Sequence, residues 1–236
     1  MGMRGRHWTF LLAGLLAVVA CTKDSGSTDG GRRAKRAKRD AGSAGVADLP
    51  RPAPESRAQL KIALDSGADL TARRAALAEL KRLRDPNVIF PLISAIQQES
   101  GVQAEIQSTI SALNAGEHLA DQIDNGDLAA KQRATLAAFF VKDEVLVEAL
   151  IDALADPDVV VRTQTASALR AAGDPRAVEP LIKVLGEDPD PDVRTAAAQA
   201  LAALGGPVAE AALARAETNE KDEFVKGVIK RARGPR

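Results

Sequence analysis

The 236-residue chain contains one cysteine, one tryptophan, two histidines and no tyrosine, and aromatic residues make up only 3% of it. Each shortage excludes something. A lone cysteine closes no internal disulfide. Cys21 and His7 both fall in the first 21 residues, so His118 is the single cysteine or histidine beyond them. Zinc sites and nucleophile–base pairs therefore lack their usual side chains. Scarcity of aromatics speaks against strands, which draw on aromatic and β-branched residues. An excess of one charge is missing too, since 32 Lys and Arg balance 32 Asp and Glu. The balance is uneven along the chain: residues 1–55 carry 10 basic against 5 acidic groups, leaving 22 against 27 beyond. A mildly acidic body offers no footing for a nucleic acid.

What is present begins with an address. Arg4 and Arg6 precede the uncharged run Trp8–Ala20, WTFLLAGLLAVVA. Thirteen helical residues span about 20 Å, too short for a bilayer core of roughly 30 Å and right for a signal peptide. The run ends Val18-Val19-Ala20-Cys21, which resembles the lipobox of bacterial lipoproteins. The resemblance implies cleavage before Cys21 and lipidation of that residue, so that Cys21 anchors the chain in a membrane. Thr22 follows instead of aspartate, which in enterobacterial lipoproteins implies the outer membrane and hence the periplasmic side of the envelope. The mature chain would keep neither tryptophan nor tyrosine and be nearly blind at 280 nm.

Residues 21–55 read as a tether. They are rich in Gly, Ser, Ala, Pro and charge and lack apolar periodicity, so they are expected to stay unfolded. Within them lies Arg32-Arg33-Ala34-Lys35-Arg36-Ala37-Lys38-Arg39. This strip reads either as a spacer extended by charge repulsion or as an adhesive for an anionic lipid or envelope polymer.

Beyond the tether the sequence repeats. Arg73, Gln103, Arg133, Arg162 and Arg194 are spaced 30, 30, 29 and 32, and seven residues after each stands Leu80, Ile110, Phe140, Leu169 or Leu201. Leu60, Leu92, Leu119, Leu150 and Leu181 form a second series spaced 32, 27, 31 and 31, each followed four residues later by another large apolar residue. Apolar pairs at i, i+4 share a helix face, so each cycle predicts two antiparallel helices. Asp156-Pro157-Asp158 and Asp188-Pro189-Asp190-Pro191-Asp192 fall between first and second helices, where Asp caps and Pro starts a helix. The segment Asp156–Leu185, DPDVVVRTQTASALRAAGDPRAVEPLIKVL, closely resembles the short, roughly thirty-residue bacterial type of HEAT-like repeat. The expected fold is all-α, an α-α superhelix (a HEAT-like solenoid) of about six helical hairpins. Repeats would occupy 56–205, after a signal peptide (1–20) and the tether (21–55), with capping helices at 206–236. The stretch 114–128 departs most from the pattern, and the match decays after Gly206.

The resemblance implies a structural ladder between repeats, formed by an aspartate before the second helix and an arginine early in it; Asp158 with Arg162 and Asp192 with Arg194 occupy those positions. It also places binding on a concave surface lined by second helices. Positions one and five residues after each register residue include Arg74, Ser108, Thr163, Ser167, Thr195 and Gln199, a small-sided, weakly polar face suited to a protein or peptide partner. Asp188, Asp190 and Asp192 alternate like calcium-loop ligands, but Val193 and Gln199 stand where that loop needs Gly and Glu. Helix capping explains them, and no metal or cofactor is expected. Some relatives of these repeats are named for phycobilin lyases; such chemistry needs a chromophore pocket and polar catalytic groups that the sequence does not display. The chain reads as a non-catalytic scaffold or adaptor in the envelope, with an envelope-polymer-binding lipoprotein as second reading and a lyase-like enzyme as a distant third.

Overall fold

The computed structural model describes residues 51–96 and 101–234, and every regular element among them is helical. Cys21 and Arg32–Arg39 lie outside the described residues. Twelve α-helices follow one another: α1 (Pro54–Ala63), α2 (Leu70–Leu83), α3 (Ile89–Ala95), α4 (Gln103–Ala112), α5 (Ala115–Asn125), α6 (Leu128–Ala138), α7 (Glu144–Ala153), α8 (Val159–Ala172), α9 (Val178–Glu187), α10 (Pro191–Leu204), α11 (Gly206–Asn219) and α12 (Glu223–Arg233). Helices this short are marginal alone and depend on their neighbours. Consecutive helices pack as six hairpins, and the second helices α6, α8, α10 and α12 also pack side by side. The result is a solenoid.

Five of the six second helices start alike, whereas α4 follows Val102 without a side-chain cap. Asp69, Asp127, Asp158, Asp190 and Asp222 precede α2, α6, α8, α10 and α12, and each accepts hydrogen bonds from first-turn N–H groups. Such a cap is worth about 1 kcal/mol. Counting from the cap, the eleventh position is buried in α2, α6, α8 and α10, at Leu80, Ala138, Leu169 and Leu201. α8 and α10 pack against each other and carry the buried residues Ala166, Ala196, Ala197 and Ala198; side chains this short let helix axes approach closely.

The least regular stretch of the sequence still folds as a helix. α5 spans 11 residues, entered through Asn114 at φ 52° without a side-chain cap. Past Gly206, α11 and α12 repeat the earlier arrangement, including the capping aspartate Asp222.

Candidate functional site

The strongest polar construction is a ladder running between repeats. Lys131 Nζ reaches Asp156 at 3.0 Å. Arg162 donates through Nε and Nη2 to the Asp188 carboxylate at 2.8 and 3.1 Å. Arg194 does the same to Glu220 at 2.9 and 3.1 Å. The free Nη1 of each arginine turns back to the preceding loop, to the carbonyls of Asp156 and Pro157 or of Asp188 and Pro189. Asp156 and Asp188 are thus held through both side chain and backbone, each by a different repeat.

This geometry corrects the pairing expected from sequence. The arginines are the anticipated ones, but neither Asp158 nor Asp192 is the acceptor. Asp158 Oδ1 already accepts the N–H groups of Val160 and Val161 and the Gln132 side-chain amide. Asp192 is exposed in the first turn of α10. The acceptor is the acidic residue two positions before the next cap, at Asp156, Asp188 and Glu220. Burial opposes ionisation of Asp158, yet the bonds from Gln132, Val161 and Val160 outweigh it and keep its carboxyl below the usual range. The bond from Arg194 holds Glu220 low in the same way, against its burial. The Asp188 bond raises Arg162 above its ordinary value.

One register position also shifts. The residue four after the cap is Arg73, Lys131, Arg162 or Arg194, so Lys131 and not Arg133 belongs in the series. Arg133 keeps a buried Nε with no hydrogen-bond partner. Counting from Arg133 would place Ala134 and Ala138 on the binding face, and both are buried, at 0% and 2% exposure. Counting from Lys131 gives Gln132 and Leu136, which are half-buried. The cap at Asp127 was the signal that could have fixed this register.

The six residues expected on the concave face all lie on second helices, in two groups. Thr163 and Ser167 on α8 stand beside Thr195 and Gln199 on the adjoining α10. Arg74 and Ser108 lie on α2 and α4, which also touch. Four of the six already bond within the protein: Arg74 to Glu105 at 2.7 Å, Ser108 with Lys81 at 2.8 Å, Thr163 to the Val159 carbonyl and Ser167 to the Thr163 carbonyl. Gln199 is exposed, whereas the Thr195 hydroxyl is buried without a partner. Of the six, Gln199 on α10 is the residue that offers an exposed polar group to a partner. Among the described residues no three His, Cys, Asp or Glu side chains gather as a metal site, and the oxygens of Asp188 and Asp190 are engaged by Arg162 and by helix amides. His118 is half-buried with its ring edge against Phe90, at 6.5 Å between centroids, and burial lowers its pKa against the pull of Asp121.

A repeated helical hairpin with caps at Asp158, Asp190 and Asp222 and a ladder linking the repeats is the setting for comparison with known proteins. Residues 147–232 match the HEAT repeats family. That match takes in the whole of α8 to α11 and both arginine rungs. No curated protein matches the chain. Among solved structures, computationally designed armadillo repeat proteins for modular peptide recognition are similar at 18% identity and a TM-score of 0.50, over 75% of this chain and 90% of theirs. Human deoxyhypusine hydroxylase in complex with glycerol is 20% identical at a TM-score of 0.45, over 75% of this chain and 72% of that one. A designed armadillo repeat protein in complex with the peptide (KR)4 is 17% identical at 0.43, over 76% and 98%. At these identities the likeness concerns the fold.

Proposed function

We propose that the chain is a non-catalytic scaffold that binds a protein or peptide through the face of its second helices, and that it is exported and held in a bacterial envelope by a lipid on Cys21. The observation that carries the first half is the side-by-side packing of α8 and α10, which presents Thr163, Ser167, Thr195 and Gln199 on adjoining rods. The carboxylates nearby belong to caps and ladder rungs, which leaves little for acid–base chemistry. A solenoid offers an extended surface instead of an enclosed site, and the designed armadillo proteins of similar fold were built for modular peptide recognition. The second half rests on the order Arg4, Arg6, apolar run, Cys21 and on the absence of any other cysteine. The second reading, an envelope-polymer binder, rests on six cations between Arg32 and Arg39.

A photo-crosslinker at Ser167 or Gln199, activated in the native envelope, should capture one and the same protein. Gln199→Arg or Gln199→Glu, at an exposed position, should abolish that capture while the fold survives. Unchanged capture by both charged variants would reject the face. Cys21→Ser should move the protein from the membrane to the soluble fraction. A further deletion of Arg32–Arg39 distinguishes the second reading: if only that deletion releases the protein from the envelope, the polymer-binding role is the correct one.

A further inference from the structure

Two clefts open along another edge of the solenoid, where the first helices α7, α9 and α11 end. One of about 470 Å³ lies between α7 and α9 and has apolar walls at Ile151, Leu154 and Val184. Another of about 520 Å³ lies between α9 and α11, walled by Ile182, Leu185 and Ala216. They are one site repeated: Ile151 and Leu154 become Ile182 and Leu185 after 31 residues, and Lys183 becomes Arg215 after 32. A ladder rung closes the back of each, Arg162 with Asp188 in one and Arg194 with Glu220 in the other. Those charges are satisfied and largely shielded.

The charges left over decide what the edge attracts. Arg215 and Lys221 at the larger cleft have no carboxylate partner among the described residues, while Lys183 and Glu187 offset each other at the smaller one. The edge is therefore apolar and, at the α11 end, positive. Its repeat also matches a particular ligand conformation. Packed helices stand about 8–10 Å apart, and polyproline II returns a side chain to the same face every three residues, about 9 Å along. A β-strand does not, because its side chains alternate with period two.

We propose that this edge is a second docking surface, for a polyproline II segment of a partner protein whose apolar side chains at i and i+3 seat in the two clefts, flanked by acidic residues that pair with Arg215 and Lys221. It is separate from the second-helix face, and the two can fail independently.

The probe is a fluorescein-labelled peptide EEPLPPLPEE, which presents the same pattern in either direction, titrated against the full chain by fluorescence anisotropy. Saturable binding is expected. Gly186→Phe should weaken it by about tenfold or more, because Gly186 lies on the wall of the larger cleft and a Cβ there meets nothing within 4 Å, so the ring fills the cleft without disturbing α9. Arg215→Glu should weaken it too, and lose the salt dependence seen with the unaltered chain. Moving the second leucine to i+4 (EEPLPPPLPEE) or replacing the acids (KKPLPPLPKK) should remove binding. Ser167→Arg and Gln199→Arg, on the other face, should leave it unchanged. Absence of saturation to millimolar protein, equal affinity for Gly186→Phe, indifference to leucine spacing, or tighter binding of the lysine peptide would each overturn the proposal.

Discussion

Arg162 donates two hydrogen bonds to Asp188, a residue 26 positions later and one repeat further on. The side chains are 13% and 6% exposed, so neither charge has water as a ready substitute. Removing one partner strands the other. Arg162→Ala or Asp188→Ala should cost about 3–5 kcal/mol in urea denaturation, whereas Arg74→Ala, from a pair that is 53% and 33% exposed, should cost less than about 1 kcal/mol. The double mutant should fall well short of the sum of the singles, and strict additivity would mean that the rung is not coupled.

Acid should undo the next rung. Glu220 is held below its ordinary range chiefly by the hydrogen bond from Arg194. A lowered folded-state value means that the stabilisation is complete above the unfolded carboxylate value of about 4.3 and is lost as pH falls through that value toward the lower folded one. Midpoints of denaturation should be level near neutrality and drop below about pH 4.5. Glu220→Gln should be less stable at pH 7 and show a shallower fall, and an unchanged slope would sink the assignment.

Arg84 closes α2 in the left-handed conformation at φ 51°, at the position where Gly173 closes α8 and Gly205 closes α10. A side chain there strains the backbone, and glycine is the usual occupant. Arg84→Gly should therefore raise stability by about 1 kcal/mol, readable as a rise in melting temperature, while Arg84→Val should lower it.

Gly116 and Gly186 both lie inside helices but in opposite surroundings. A Cβ on Gly116 would run into the Asp143 carboxylate, whereas one on Gly186 meets open space. Gly116→Ala should destabilise by about 1–3 kcal/mol through overpacking, and Gly186→Ala should stabilise by up to about 1 kcal/mol through helix propensity. Equal effects of the two changes in thermal unfolding would contradict the tight contact at Asp143.

The solenoid was legible in the chain because its signals are local: i, i+4 leucines, aspartate before all but one of the second helices, proline and glycine between them. What escaped was partnership across repeats. Asp158 and Arg162 sit four residues apart and look like a pair, but a capping carboxylate faces the amides of its own helix, and the arginine stretches to the next turn of the superhelix. Arg133 was drawn into the register by its residue type, although the cap at Asp127 places Lys131 there. The concave residues lie on the helices expected for them, yet sequence alone could not show that the hydroxyls of Thr163 and Ser167 are occupied by carbonyls one turn back.

The ladder is interrupted ahead of α6. The position two before that cap is Asn125, a neutral residue where Asp156, Asp188 and Glu220 carry a charge. On the amino-terminal side of the break, Arg73 is buried and donates to the Ala63 carbonyl of its own hairpin, while Arg74 to Glu105 and Lys81 to Ser108 are exposed links. The molecule should consequently open from its amino-terminal side, with amide protons of α2 and α4 exchanging with solvent well before those of α8 and α10. Any partner gripping the early repeats would then be clasping the most yielding third of the rod.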